Sequence, residues 1–272
     1  MGDDDHRLAS MAIDESIPSI ARIYDYLLGG KDNFTCDREL AARLLDEVPE
    51  ARALALDNRA FLGRAVRFLA EQGIRQFIDI GTGLPTQQNV HEIVQEVAPE
   101  SRVVYVDHDP IVLVHARALL ADNPRTIVVD SDLRRPDELL ANPEVRNLID
   151  FNQPVGFIMV GILYFILNKE RPFDVVARYR DAMPPGSYLA LSHIVSDDNP
   201  EGYSQAQELY RGFLKRSGDA RRSREEVCRF FDGFELVDPG LVYACDWRPG
   251  TGTPAGDEGP SSWVLGGVAR KD

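Results

Sequence analysis

The sequence predicts an α/β domain built on a doubly wound, mostly parallel sheet, and three observations carry that prediction. From Gln76 onward, short runs rich in Val and Ile alternate with stretches of helical character. These runs are continuously apolar rather than alternating apolar and polar, the pattern of strands covered by helices on both faces. The first of them, "FIDI", breaks directly into the glycine-bearing turn "GTGLPT", where an open parallel sheet places its ligand crevice.

The N-terminal third reads as helical. "PSIARIYDYLLGG" ends in Gly29 and Gly30, a pair suited to terminating a helix. "DRELAARLLDEV" opens on Asp37 as a cap, and "PEARALALDNRAFLGRAVRFLAEQG" begins beside Pro49 and stops at Gly73. Core strands follow at "FIDI", "RVVYV", "TIVV", "VGFIMV" and "SYLALSHI", with helices between them over residues 87–97 and 111–121. "FELV" and "SSWVLGGVA" complete a seven-stranded sheet as an antiparallel C-terminal hairpin at its edge. The segment "DWRPGTGTPAGDEGP" between them is too rich in Pro and Gly to pack. The chain thus divides into a mobile tail (1–15), an N-terminal helical cap (16–73) and an α/β core (74–272). No internal repeat is visible.

Composition narrows the function. A chain of 272 residues with 44% hydrophobic content can bury one large core. A formal charge of −14 opposes attachment to nucleic acid or to an anionic membrane surface, since both rely on Lys and Arg displacing counterions. The three cysteines, Cys36, Cys228 and Cys245, lie far apart and suggest neither a disulfide framework nor a zinc site. No apolar run approaches a membrane span, and "MGDDDHRLAS" is acidic where a secretory signal is basic and then apolar. A cytoplasmic protein without metal is the expectation.

Gly81, Thr82 and Gly83 form the turn at the predicted crevice. The glycines permit backbone angles and close approach that a side chain blocks, and the helix that follows aims free N–H groups at the same place. The plain alternative is an ordinary strand-to-helix turn. Asp107 ends the second strand, where a carboxylate can accept both ribose hydroxyls of a nucleoside. Asp132 follows the third strand, placed to receive the exocyclic amine of adenine while Leu133 packs on the ring. His108 lines the same adenosine pocket. A dinucleotide fingerprint requires a third glycine, but Thr86 stands at that position, and Asp79 before the glycines disfavours an anionic pyrophosphate. A nicotinamide-dependent oxidoreductase is disfavoured accordingly. A ligand carrying an ammonium and a sulfonium suits Asp79.

At this point "DIGTGLP" resembles the first motif of Rossmann-like, class I methyltransferases that use S-adenosylmethionine (SAM), D/E-x-G-x-G-x-G, with Pro85 in place of the third glycine. Proline suits the first turn of a helix, so the departure is mild. "ARIYDYLLGGKDNFTCDRE" is in addition similar to a bacterial family of SAM-dependent methyltransferase-like proteins long catalogued as a domain of unknown function. That likeness covers nearly the whole chain from Ser16, and "YDYLLGGKDNF" is its narrow signature. The resemblance implies the fold and a SAM site, and no substrate.

The signature has two readings. One is a helix end with a polar capping network. The other, which we favour, is a lid over the cofactor: Lys31 or Arg22 pairs with the SAM carboxylate, Asn33 contributes a polar contact, and Tyr26 and Phe34 shield the sulfonium. Methyl transfer needs mainly alignment of acceptor, methyl and sulfur, with a base only where the acceptor must lose a proton. His193 after the fifth strand and Tyr164 after the fourth are the candidate catalytic residues, each set against ordinary packing. The Arg- and Lys-bearing stretch over 203–224 reads as a solvated face, with a lid over an acidic acceptor as the alternative. The resulting expectation is a methyltransferase acting on a small molecule, against a noncatalytic SAM-binding regulatory protein.

Overall fold

The computed structural model describes residues 14–85, 88–120, 123–214, 218–250 and 263–272. Most of the expected tail, Thr86 and most of the Pro- and Gly-rich segment after residue 250 lie outside the described residues.

Among the described residues three helices come first: α1 (Ile20–Leu27), α2 (Thr35–Glu47) and α3 (Ala51–Glu71). Past the end of α1, Gly29 takes φ +82°, a left-handed value that costs glycine little. Gly30 has a different reason: a Cβ there would lie 1.9 Å from the Asp25 carboxylate. That buried carboxylate accepts the Asp32 N–H at 2.9 Å and the Asn33 amide at 2.8 Å, closing a knot of hydrogen bonds around the glycines. α2 starts at Thr35, so Asp37 is not its cap but lies within its first turn. From there Asp37 accepts the N–H groups of Phe34 (2.8 Å) and Ser19 (2.9 Å) and pairs with Arg22 Nε at 2.7 Å. One buried carboxylate therefore ties α1 to α2.

The core then runs β1 (Gln76–Ile80), α4 (Val90–Val97), β2 (Arg102–Asp107), α5 (Pro110–Leu119), β3 (Thr126–Asp130), α6 (Pro136–Ala141), α7 (Pro143–Leu148) and β4 (Gly156–Val160). It continues with α8 (Pro172–Ala182), β5 (Tyr188–Ile194), α9 (Pro200–Leu214), α10 (Arg224–Cys228), β6 (Glu235–Leu236), β7 (Val242–Tyr243) and β8 (Val264–Arg270). The sheet order is β3-β2-β1-β4-β5-β8-β6, with β7 also paired to β8. The first five strands pair with one another in parallel, and β8 is antiparallel to β5, β6 and β7. The expected hairpin is present, but β8 lies inside it against β5, and its outer strand is broken in two. Pro239 has no N–H to give the ladder and Gly240 turns the chain at φ +87°, so among the described residues eight strands replace the expected seven.

Successive strand residues enter opposite cores. Phe77, Val103 and Tyr105 pack with α1 to α4, whereas Ile78, Ile80, Val104 and Val106 pack with α6, α7 and α8. Each fully buried side chain of this kind stabilises the fold by about 1.5–3 kcal/mol, which is why the strands carry no polar alternation.

Candidate functional site

The strand order reverses between β1 and β4, and a crevice opens at their C-terminal ends. Gly81 leaves β1 at φ +76° and donates its N–H to the Val106 carbonyl of β2 at 2.8 Å. A Cβ at Gly81 would lie 2.4 Å from Ile162, so the loop after β4 occupies the place of the missing side chain. Gly83 also has a left-handed φ, +67°, but the direction of its absent side chain meets nothing within 4 Å. The turn is thus packed at its first glycine and open at its second.

Carboxylates surround this turn. Asp107, its side chain 11% exposed, accepts the N–H groups of Gly83 (3.0 Å), His108 (2.8 Å) and Asp109 (3.0 Å). Burial pushes its carboxyl up, and those backbone donors oppose the shift. Asp79 is buried below the turn and accepts the Thr82 hydroxyl at 2.6 Å. Burial pushes Asp79 up to about 6, against the pull of Thr82 and of the Arg59 charge, with Asp107 adding repulsion. Asp132 lies beyond β3, but its carboxylate already holds Arg134 Nε at 2.8 Å, and Arg134 also reaches Glu170 at 2.8 Å. Burial raises Asp132, and the Arg134 bonds outweigh it and hold the carboxyl below its usual range. Leu133 is buried, its carbonyl accepting the Tyr179 hydroxyl at 3.1 Å, and His108 is exposed with Nδ1 3.9 Å from Asp107.

The N-terminal helices reach this rim. The Ser19 hydroxyl donates to Asp109 at 2.5 Å, and Ala21 and Phe34 pack against Leu84, Ile111 and Val112. Within the signature, Asn33 faces the Asp25 knot, half-buried Tyr26 has the Arg52 guanidinium 5.7 Å from its ring, and Lys31 is exposed. The expectation that Arg22 reaches a cofactor carboxylate is corrected: Arg22 is buried, paired with Asp37, and sits 4.8 Å over the Phe34 ring.

His193 is corrected as well. It is fully buried, with Nδ1 donating to the Ile194 carbonyl at 2.5 Å and Nε2 facing the Arg222 guanidinium at 3.0 Å. Burial, reinforced by the Arg222 charge, pushes its pKa down to about 3, so the ring is neutral and both nitrogens are engaged. Arg222 departs from the solvated reading of its stretch, which Arg221 and Arg224 follow with exposed side chains. Arg222 is 0% exposed and donates to the carbonyls of Leu163, Ile166 and Ala220.

Tyr164 lies on the loop after β4 and lines a second cavity beside α9, with Phe165, Tyr203, Gln207, Tyr210 and Arg211 among its walls. Burial raises the Tyr164 phenol well above its usual range, so it stays neutral. Asn58 and Ser192, which sequence reading missed, brace this region. The Asn58 amide donates to the Tyr24 hydroxyl (3.0 Å) and its carbonyl accepts from Ser192 (2.5 Å), whose oxygen accepts the Gly161 N–H (2.9 Å). The available signal was Asn58 itself, a polar residue in the apolar helical row that runs from Leu54 to Leu62.

Strand order and glycine turn together define a Rossmann-like domain, of the class that takes a nucleoside ligand beyond the C-terminal ends of its strands. The sequence matches the S-adenosyl methyltransferase family over residues 6–272, and the chain belongs to that family, whose cofactor is S-adenosylmethionine. It is similar to a candidate methyltransferase from Thermobifida fusca YX, with 45% identity over 95% of this chain and 97% of that one, at a TM-score of 0.88. It is likewise similar to a DUF574 family protein from Streptomyces avermitilis MA-4680, with 40% identity over 96% and 100% of the two chains and a TM-score of 0.91. The fold is that of the class I methyltransferases. No curated protein matches the sequence.

Proposed function

We propose that the chain transfers the methyl group of SAM directly to a small-molecule acceptor held in the aromatic cavity beside α9. The observation that carries this reading is a shared wall. Ile162 fills the space beside Gly81, while Tyr164, two residues on, lines the cavity. A methyl group above the glycine turn then lies one loop away from an acceptor.

The residues present fit the cofactor. The open space at Gly83 is a cradle that a Cβ would enter, and the surrounding carboxylates suit a ligand with two positive centres. Asp107 takes the ribose hydroxyls, Asp79 balances the positive charge through the turn, and Thr82 holds Asp79 in place. Leu133 walls the adenine with His108 at the outer edge, and Asp132 uses the acceptor sites left by Arg134 for the exocyclic amine. The N-terminal helices act as the lid, with Asn33 fixing the turn that presents Lys31 and Tyr26 toward the methionine end. SAM supplies an activated methyl electrophile. The chain's task is then alignment and exclusion of water, for which effective concentrations are large. Tyr164, a neutral phenol, orients the acceptor by a hydrogen bond, and His193 supports that loop through Arg222 rather than moving a proton.

A noncatalytic SAM-binding protein is the second reading, favoured by one observation: no carboxylate or histidine appears among the described cavity walls to act as a base. Calorimetric titration with SAM and with NAD tests the cofactor; preference for NAD overturns it. Formation of S-adenosylhomocysteine (SAH) with a metabolite extract is the expected outcome for transfer, and SAM binding without turnover across acceptor panels supports the second reading.

A further inference from the structure

The cavity beside α9 has a chemistry of its own. Phe165 and Tyr210 meet edge to face at 5.5 Å, and Tyr164 and Phe165 lie 4.4 Å apart, leaving aromatic faces as walls. Tyr164 and Tyr210 both line the cavity, and each keeps part of its surface accessible. Among the described wall residues Arg211 is the one charged group. Its Nε is buried and makes no hydrogen bond. A buried donor without an acceptor is costly, and a ligand that supplies the acceptor removes that cost. This cationic spot stands in a chain whose formal charge is −14, opposite in sign to the glycine-turn rim. Burial also raises the phenols, Tyr210 up to about 12, so none is a phenolate at neutral pH.

Resting on the reading of this cavity as the acceptor site, we propose that the acceptor is a planar aromatic carboxylate, its ring held between the tyrosine and phenylalanine faces and its anionic group on Arg211. Such an acceptor needs no base, which accounts for the walls lacking one. Transfer forms an O–C bond to the ionised oxygen and breaks the S–C bond. The electron pair goes to sulfur, and no proton moves. A cation and an anion become two neutral molecules, and a water-poor aromatic cavity favours a reaction in which charge is lost. Arg211 has five donors for two carboxylate oxygens and can bind one oxygen while the other reacts.

The test is titration of the full chain, alone and with SAH, using 2-naphthoate, its neutral isostere 2-naphthamide and the cation 2-naphthylmethylamine. The expected result is naphthoate binding at least about tenfold tighter than the amide, the scale of one charge-assisted hydrogen bond, with the amine weakest. Arg211→Met abolishes that preference and leaves SAM affinity unchanged, and Ala206→Phe, which fills the cavity, weakens all three probes. If the Phe variant does not fold, the charge preference in Arg211→Met decides alone. Equal binding of amide and carboxylate, or a preference that survives Arg211→Met, overturns the acceptor class. Failure of SAM to bind overturns the cofactor reading instead, and the titrations of the chain alone still decide the acceptor class.

Discussion

Asp107→Ala removes one carboxylate with two tasks. In the free chain that carboxylate accepts three backbone N–H groups, from Gly83, His108 and Asp109 at 3.0, 2.8 and 3.0 Å, and so shapes the glycine turn. In the proposed complex it accepts the ribose hydroxyls. A hydrogen bond to a charged group contributes about 1.5–3 kcal/mol net, and losing that amount lowers SAM affinity by about 10- to 150-fold. Stability of the free chain falls by less than three lost bonds imply, on the order of 1 kcal/mol, because water reaches the freed donors and the desolvation that raises the Asp107 pKa is relieved. Asp107→Asn keeps an acceptor oxygen but not the charge, and its affinity falls between the two. Calorimetry gives the affinities, and urea unfolding of the same samples separates loss of binding from loss of fold. A folded Asp107→Ala chain that binds SAM as tightly as the parent refutes the assignment.

Asp79 carries a pH signature. Its folded pKa, about 6, lies above the usual 3.8. The fold therefore favours the protonated form, and the stability this confers is full below pH 3.8 and lost as pH rises through about 6. Asp79→Asn removes a cost of about 3 kcal/mol at higher pH, so it stabilises the free chain at pH 8 and much less at pH 4. An equal effect at both, measured by urea unfolding, contradicts the assignment. The parent's SAM affinity rises as pH climbs through the same window, and the Asn variant loses that slope. Gly30→Ala drives a methyl group into the Asp25 knot and destabilises by about 1–3 kcal/mol, read as a lower urea midpoint; an unchanged midpoint shows that Asp25 moves aside freely. Gly83→Val, at φ +67° beside open space, abolishes SAM binding while the chain stays folded by circular dichroism. Lys31→Ala raises the SAM dissociation constant if the helical lid contacts the methionine end, and unchanged affinity removes Lys31 from that role.

Much of the fold was legible because its signals are local. Continuous Val and Ile runs specify strands buried on both faces, and the glycines at 29 and 73 mark helix ends through their own backbone angles. The break of the outer strand at Pro239 was also written in the chain but masked by the stronger pattern of the β8 run. The candidate site was legible only in part. Gly81, Gly83, Asp79 and Asp107 announce themselves by position after strands, whereas Asp132 looks equally free and is in fact tied to Arg134. His193 ends an apolar strand much as a catalytic base does, and nothing local says that Arg222, 29 residues on, closes over it.

The amino-acid order by itself determined the strand and helix sequence, the glycine turn and the row of acids along the sheet's rim. Each of these follows from the periodicity or backbone freedom of residues a few positions apart. Only the tertiary structure decided which polar groups are consumed internally: Arg22 by Asp37, and His193 by Arg222. It also decided that Tyr164, Tyr210 and Arg211 face one cavity. The physical reason is that desolvation and pairing depend on what packs within a few ångströms in space, and those partners come from segments that the sequence keeps apart.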